Sequence, residues 1–476
     1  MKIGVIPIIT KSSTLFLAFV LLVGAFTAIT SSTSSPFIIV KVQAQKAEES
    51  EMKEEESESE EGKKCISYNK SEKLISITCK HANFADVTKE ITDPNILKYE
   101  SKVTTTTTNN TIESNNNEKV WLLTTDLKVE KDALLDINSN DVTWLKIIPS
   151  KKSPNVIEVD GSLKVDSVKI TSWNPETNDY VYFSDSVKKA ELQYKKELRP
   201  YIKVNTGATG PTIIQNSELA YLGYSCSGCG GVTFNGGENS ILKNNDIHHI
   251  YKGFYSKEMG HMLIEGNRVY GNDKYGIDPH TGTHDMIIKN NTVYNNGNSG
   301  IICSLDCHNI TIEGNEIYNN GNNGTGRGIA FSINMYDSVA KNNYIHHQNI
   351  GIGINGESHD NKVYNNKISD SKVGINTIEK SSNNNIYNNT ILNSINGIVV
   401  DSGASDNEFH FNKIVNLTES GILNVKGDPG LTTVVGNTFE NNKLINSKVN
   451  TASASASSTS TSTSAISVDD NEKSEK

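Results

Sequence analysis

A repeated unit, Asn-x-(Ile, Val or Leu), limits what this chain can fold into more than any other sequence feature. Its asparagine recurs at nine positions: Asn245, Asn267, Asn291, Asn315, Asn343, Asn366, Asn389, Asn412 and Asn442. Successive steps are 22, 24, 24, 28, 23, 23, 23 and 30 residues. A glycine before a short apolar stretch recurs in phase with it, at Gly253, Gly276, Gly300, Gly328, Gly351, Gly374, Gly397 and Gly421. Two markers in phase indicate an internal structural repeat.

The repeat length selects the fold. A period of about 23 residues with short β-type segments and no helical run is typical of one coil of a parallel β-helix, because helical repeats are longer and leucine-rich repeats have their own Leu pattern. The chain has 476 residues, more than one compact core usually holds, which favours an elongated repetitive domain. We therefore predict an all-β, right-handed parallel β-helix with an N-terminal β-rich cap.

The repeated asparagine has a structural interpretation. Its side chain can bond backbone groups at a turn and stack on the asparagine of the next coil. We prefer this role to a catalytic one.

The chain divides into five segments. Residues 1–44 carry an apolar run, Leu15 to Ile29, and are interpreted as a signal peptide or an uncleaved N-terminal anchor. Residues 45–63 are predicted to be an acidic disordered linker, 64–118 a cap region, 119–446 the catalytic β-helix and 447–476 a disordered Ser/Thr-rich tail. Either reading of the N-terminus places the body outside the membrane, so we expect an extracellular or cell-surface protein, with a membrane tether if the anchor is retained.

Charge and composition limit the classes of ligand that the chain can be expected to bind. The net charge is −10, and much of it lies in the run from Glu48 to Glu61, which argues against nucleic acid as a ligand. We expect a monomer that binds an acidic polysaccharide and needs no cofactor and no catalytic metal, although structural calcium is compatible with the sequence.

The six cysteines form three local pairs and suit an oxidising compartment. Cys65 and Cys79 are predicted to form a disulfide that closes an N-terminal hairpin. The pairing of Cys226, Cys229, Cys303 and Cys307 stays open, with zinc as the less favoured alternative.

The segment Lys274 to Asp285, KYGIDPHTGTHD, is the least repetitive part of the coils. Counting from the coil glycine points Ile277 inward and places Asp278 and His280 together on the outer face, where both are expected to be accessible to solvent. The same count places Tyr255 beside Asp278, and Lys257 and Ser304 beside His280.

These groups suit removal of a proton from the carbon next to a carboxylate. His280 can act as a base near neutral pH, and Tyr275 can return a proton on the opposite face. A cation must neutralise the substrate carboxylate, which makes Lys252, Lys257 and Arg327 candidate substrate-binding residues, together with His284. Each of these side chains alone is most simply a solvated surface group; their clustering makes them candidates.

The motif Tyr275-Gly276-Ile277-Asp278-Pro279-His280 resembles the YG-x-DPH signature of mannuronan C5-epimerases, and Thr283-His284 extends the likeness. The resemblance covers roughly residues 120–445. It implies an isomerase that converts mannuronate to guluronate within an alginate-like polymer, with Tyr275 and His280 as the proton-transfer pair and Asp278 supporting the site. It also implies a basic residue on a neighbouring coil; the usual position falls near Leu305, whereas Arg327 resembles the arginine of the secreted enzymes. Their calcium-binding GGxGxD repeats are absent from this sequence.

Two other functions remain open. A polyuronate lyase on the same fold would share carboxylate neutralisation and proton abstraction. A surface glycan-binding solenoid would have no catalysis at all.

Overall fold

The computed structural model describes residues 64–108, 111–150, 153–182, 198–401, 403–424 and 433–440. All of them belong to one compact unit, Lys63–Lys476. The predicted N-terminal segment, the acidic linker and the Ser/Thr-rich tail lie outside the described residues. Within these residues, no helix is long and apolar enough to cross a membrane.

The chain winds into three long sheets, and each coil contributes one strand to each sheet. Sheet A has 14 strands: β1 (Ile66–Asn69), β2 (Leu74–Ile77), β6 (Asp126–Val129), β9 (Val156–Val159), β12 (Tyr201–Val204), β15 (Gly231–Phe234), β18 (Lys252–Lys257), β21 (Ile277–His280), β24 (Ile301–Ser304), β27 (Arg327–Ser332), β30 (Ile350–Asn355), β33 (Val373–Thr377), β36 (Asn396–Val400) and β39 (Ser420–Asn424).

Sheet B has 13 strands: β3 (Ala82–Asn83), β7 (Leu134–Asn138), β10 (Ser162–Asp166), β13 (Thr212–Gln215), β16 (Ile241–Lys243), β19 (Leu263–Glu265), β22 (Ile287–Lys289), β25 (Thr311–Glu313), β28 (Val339–Lys341), β31 (Lys362–Tyr364), β34 (Asn385–Tyr387), β37 (Glu408–His410) and β40 (Thr433–Val435).

Sheet C has 14 strands: β4 (Leu97–Thr108), β5 (Thr111–Leu123), β8 (Trp144–Ile147), β11 (Lys169–Ser172), β14 (Glu218–Ala220), β17 (Asp246–His248), β20 (Arg268–Tyr270), β23 (Thr292–Tyr294), β26 (Glu316–Tyr318), β29 (Tyr344–His346), β32 (Lys367–Ser369), β35 (Thr390–Leu392), β38 (Lys413–Val415) and β41 (Thr438–Glu440). The described strand pairs are parallel except β1 with β2 and β4 with β5. The prediction of an all-β parallel β-helix is therefore confirmed.

The cap also contains the one described α-helix, α1 (Phe84–Glu90). Asn83 and Asp86 form a capping box at its start, because each side chain accepts a hydrogen bond from the other residue's backbone N–H. Phe84 and Val87 turn into the core. A short 3₁₀ turn, Asn322–Gly324, precedes β27.

The core is a stack of apolar side chains, one layer per coil. A column of isoleucines along sheet A is fully buried: Ile277, Ile301, Ile329, Ile352, Ile375 and Ile398. Burial of each such side chain contributes about 1.5–3 kcal/mol. Because side chains alternate along a strand, this inward column fixes which residues of sheet A face outward.

The repeated asparagines form a buried ladder, as their structural interpretation predicts. In Asn291, for example, Nδ2 donates to the Ile264 carbonyl at 3.0 Å and to Oδ1 of Asn315 at 3.0 Å. The same Oδ1 of Asn315 accepts from the Asn291 backbone N–H at 2.9 Å. The ladder thus supplies partners to backbone groups at a turn that the strands leave unpaired.

The last step of the ladder differs from the prediction. The side chain of Asn437 receives both hydrogen bonds from Asn412, at 2.9 Å each, and therefore takes the next position. The predicted marker Asn442 lies outside the described residues. Asn437 escaped the pattern because Phe439, instead of Ile, Val or Leu, follows two residues later and packs against the core.

The cysteines have two different environments. A disulfide joins Cys65 and Cys79 across the β1–β2 hairpin, and a second joins Cys226 and Cys229. Cys303 and Cys307 are free and buried, and burial raises the pKa of both thiols. No group of three or more His, Cys, Asp or Glu side chains within the described coils is placed to hold a metal ion.

Candidate active site

The motif strand β21 lies in the middle of sheet A, and its side chains alternate as predicted. Ile277 and Pro279 point into the core, and Asp278 and His280 belong to the outer face. Proline has no N–H for the strand ladder and is rare in central strands, so Pro279 breaks a local rule at this point. Such exceptions are expected at functional sites.

The register confirms the predicted neighbours. Tyr255 pairs with Asp278, and Lys257 pairs with His280 on the preceding coil. Ser304 pairs with His280 on the following coil. Corresponding residues of adjacent coils lie about 4.8 Å apart, so these side chains form one patch.

Asp278 differs from its prediction in one respect. It lies on the outer face of the sheet but is 0% exposed, so the expectation that it is accessible to solvent is wrong. The reason is Lys252, whose Nζ lies 2.8 Å from Asp278 Oδ2 and 4.0 Å from the centroid of the Tyr255 ring. The other oxygen, Oδ1, has no hydrogen-bond partner among the described residues.

His280 is half-buried and makes defined contacts. Its Nδ1 lies 2.7 Å from Thr281 Oγ1, and its ring centroid lies 5.5 Å from that of Tyr255. Burial is the main factor that lowers its pKa; the charge of Asp278 opposes this shift, whereas Lys252, Lys274 and Lys257 add to it. The imidazole is thus held in its neutral form at pH 7, as a general base requires.

Two tyrosines flank the ion pair. The Tyr275 side chain is partly exposed, and its ring centroid lies 5.2 Å from Lys274 Nζ and 5.6 Å from Lys252 Nζ. Burial, followed by the charge of Asp278, raises the pKa of Tyr255 to about 12. Tyr255 therefore stays protonated throughout the physiological range.

The other candidates are less closely grouped. Lys257 is half-exposed, and its Nζ lies 3.4 Å from Glu258 Oε1. Arg327 begins β27, two coils beyond β21. His284 lies where the chain turns from sheet A towards sheet B, with Nδ1 2.7 Å from Asp285 Oδ2 and its ring stacked on that of His308. The structure therefore brings Lys252, Asp278 and His280 together and places Arg327 and His284 outside their direct contacts.

The sequence prediction missed two contributors. Tyr255 was recognised as a neighbour of Asp278 but not as a site residue, although its ring packs between Lys252 and His280. Lys274 directly precedes the motif, and its charge acts on His280. Tyr255 could have been found by counting the register one coil back, and Lys274 by looking one residue upstream of the motif.

A buried arginine anchors the segment that leads into the motif. Arg199 donates to the carbonyls of Gly223 and His249, at 2.6 and 2.8 Å, and to Asp273 Oδ2 at 2.6 Å. These acceptors belong to three successive coils. Arg199 thereby fixes the chain two residues before Tyr275.

Comparison with known proteins agrees with the architecture. A family model described as "right handed beta helix region" matches residues 199–332 and 326–472. The solved structure of the periplasmic alginate epimerase AlgG superposes with a TM-score of 0.65 at 19% identity, over 77% of this chain and 85% of that one. At this identity the likeness supports the fold.

Two curated relatives carry the name that the motif predicts, and the resemblance is thereby confirmed. The mannuronan C5-epimerase of Pseudomonas fluorescens is 27% identical over 179 residues, which is 35% of this chain and 31% of the relative. That of Pseudomonas aeruginosa is 27% identical over 177 residues, 35% of this chain and 30% of the relative. The match thus spans about a third of the length of these relatives.

Proposed function

The chain belongs to the right-handed β-helix family, and we propose that within this fold it acts as a polysaccharide-modifying isomerase that inverts C5 of uronate residues in an alginate-like polymer. The main support for this proposal is His280, which lies half-buried on the outer face of sheet A beside the ion pair of Lys252 and Asp278. The pKa of His280 is lowered there, as a general base requires. The names of the relatives, mannuronan C5-epimerase, support the same reaction.

The first chemical step is removal of the C5 proton. When Nδ1–H of His280 donates to Thr281 Oγ1, Nε2 holds the lone pair that accepts this proton. The electron pair left on C5 delocalises into the neighbouring carboxylate, which gains negative charge. Nearby cations must stabilise that charge.

Lysines supply these cations. Lys252, Lys257 and Lys274 all act electrostatically on His280, and the first is already neutralised by Asp278. Lys257 pairs only weakly with the exposed carboxylate of Glu258, so Lys257 and Lys274 are the groups we assign to the reacting carboxylate. Asp278 holds Lys252 in place and favours the imidazolium that forms on proton abstraction.

The second step returns a proton to C5 from the opposite face. We assign this role to Tyr275, whose phenol can donate and then regain its proton from solvent. One proton leaves C5 and one is added, so the overall reaction changes configuration only and needs no redox partner.

The setting of the enzyme is part of the proposal. An acidic polysaccharide in solution or at the cell surface requires an exported protein, and the AlgG relative is named as periplasmic. The disulfide between Cys65 and Cys79 is compatible with such an oxidising compartment. We propose a monomer, with a membrane tether if residues 1–44 are retained.

One experiment tests the proposal. The full chain is incubated with polymannuronate in deuterated water, and the anomeric proton NMR is recorded against the His280→Ala variant. Appearance of guluronate signals with deuterium at C5 is the expected result. Unsaturated chain ends would identify a lyase instead, and unlabelled polymer would identify a binding protein without catalysis.

A further inference from the structure

The outer face of sheet A continues beyond the active site as a row of mostly small side chains, which we call the floor. In register with Asp278 and His280, the next coils carry Ile302 and Ser304, then Ala330 and Ser332, then Gly353 and Asn355. Asn376 follows Gly353 on β33. A long polymer that reacts at His280 can therefore lie along this floor over Ile302, which is only 8% exposed, as far as Arg327.

Arg327 lies across the floor at its far end. A Cβ atom on Gly353 would come within 2.9 Å of Arg327 Cδ and within 2.9 Å of Asn376 Oδ1, so both side chains occupy the space that glycine leaves. Gly353 does not have a positive φ, which means that space rather than backbone conformation requires glycine here. Arg327 forms no ion pair within the described coils.

Three polar atoms at this place lack partners. Arg327 Nε, Asn355 Oδ1 and Asn376 Oδ1 are buried, and none has a hydrogen-bond partner in the described part of the chain. Asn355 and Asn376 are only 8% and 6% exposed. Each buried polar atom without a partner costs about 1–3 kcal/mol of folding free energy. Three such atoms in one place therefore indicate groups that are kept for binding a ligand.

We propose that Arg327, Asn355 and Asn376 form a second binding subsite, which takes the carboxylate and ring hydroxyls of another uronate in the same polymer. The ligand class rests on the proposed function. The guanidinium binds the carboxylate through its planar donors, and as it moves off Gly353 towards this anion the two amides become available to hydroxyl groups.

The spacing identifies which sugar is bound. Gly353 and Asn355 lie three coils from β21, or about 14 Å at the inter-strand distance of a sheet. An extended glycan with a similar repeat places about its third following residue there. Arg327 therefore serves a distal uronate, and the lysines around His280 serve the reacting one.

The test compares substrates of two lengths. Full-length parent, Arg327→Ala and Gly353→Ala are assayed for C5 deuterium exchange on a mannuronate trimer, which is too short to reach the subsite, and on an octamer. Arg268→Ala is the matched control, because this arginine lies on sheet C. Affinity electrophoresis in gels that contain polymannuronate measures binding independently of turnover.

For Arg327→Ala we expect the octamer KM to rise about tenfold, the equivalent of one charge-assisted hydrogen bond, with kcat and the trimer KM unchanged. Gly353→Ala should act in the same direction, because its methyl group displaces the arginine. The control should match the parent protein. If kcat falls equally for trimer and octamer, Arg327 acts on the reacting residue, and if octamer KM and gel mobility are unchanged, no subsite exists there; either result overturns the proposal.

The two proposals fail in different ways. A parent protein that binds polymannuronate without C5 exchange refutes the epimerase function. In that case weaker binding by Arg327→Ala still supports the subsite, and unchanged binding refutes it. Exchange by the parent protein with an octamer KM that is unchanged in both Arg327→Ala and Gly353→Ala refutes the subsite alone.

Discussion

Lys252 Nζ lies 2.8 Å from Asp278 Oδ2, one coil away, and the carboxylate that it contacts is completely buried. The pair joins the two coils on which Tyr255 and His280 stand. Its contribution differs from that of an exposed ion pair, because neither charge has enough water to compensate for loss of the other.

Replacing one member of this pair should destabilise the protein. We expect Lys252→Met to lower the free energy of unfolding by about 3 kcal/mol, because it leaves the Asp278 carboxylate buried and unpaired. Urea denaturation followed by circular dichroism measures the change. The exposed pair Lys380–Glu357 provides the control, and Lys380→Met should have little effect. An equally small effect of Lys252→Met would show that water can take the place of the lysine beside Asp278.

Loss of the proposed base should abolish most turnover while leaving the fold intact. His280→Ala should reduce kcat by at least about 10²-fold, in the range typical of a positioned general base. Folding should survive, because His280 is on the outer face and packs mainly against Tyr255. The rate of C5 exchange and the circular dichroism spectrum are the measurements. Near-parental epimerisation by a folded variant would place the site on another coil.

The phenol of Tyr275 should matter for proton transfer and not for binding. Tyr275→Phe keeps the ring near Lys274 and Lys252 but removes the exchangeable proton. We expect unchanged mobility in polymannuronate gels and a loss of kcat of about 10²-fold. Tyr318→Phe, on sheet C, is the control for a general effect of losing a hydroxyl. A parental kcat in Tyr275→Phe would exclude this residue as the acid.

The pH profile should reflect the lowered pKa of His280. Burial and the surrounding lysines favour neutral imidazole, so kcat/KM should stay constant as pH falls through 6.5, the ordinary histidine value, and decline only at lower pH. Lys257→Ala removes a charge that lowers this pKa, and the acidic limb should move towards higher pH. Measurement at low salt makes the shift largest. An acidic limb that stays in place at low salt would show that another group controls it.

The asparagine ladder should be essential to stability. Asn315→Ala removes donors to the Ile288 carbonyl and to Asn343, at 3.0 Å each, and leaves groups of Asn291 unsatisfied. We expect a loss of about 2–4 kcal/mol, measured by urea denaturation. Asn322→Ala, at an exposed turn, is the control. Equal stability of both variants would mean that ordered water can replace the ladder.

The sequence predicts the fold and the register well for one physical reason. One coil repeats the same contacts as the next, so the period alone determines which residues stack. Counting from Gly276 placed Tyr255 and Lys257 correctly beside the motif. The repeat predicted Asn442 as the last asparagine of the ladder, but Asn437 takes that position. The pattern missed Asn437 because its apolar position holds the aromatic residue Phe439.

Side-chain conformation is what the repeat does not determine. The register correctly predicted that Asp278 faces outward. Its burial depends on the Lys252 side chain, which reaches across from the preceding coil and covers it. Arg327 is a similar case, since the position of its side chain over Gly353 follows from the missing Cβ one coil further on. A long flexible side chain can reach a neighbouring coil, and the sequence repeat does not predict which conformation it adopts.

The constant spacing of the coils also places binding positions along sheet A at regular intervals. The sugars of a bound polymer face these positions only where multiples of the two repeat distances coincide. If the repeat of the glycan and the inter-strand distance of about 4.8 Å differ by about a tenth, sugars that start in phase with the coils are half a repeat out of phase after about five coils. Insertion of one coil between His280 and Gly353 would therefore move the second contact to the next sugar. The number of coils between the two sites, more than the length of the solenoid, would then set which positions in the polymer are chosen for reaction.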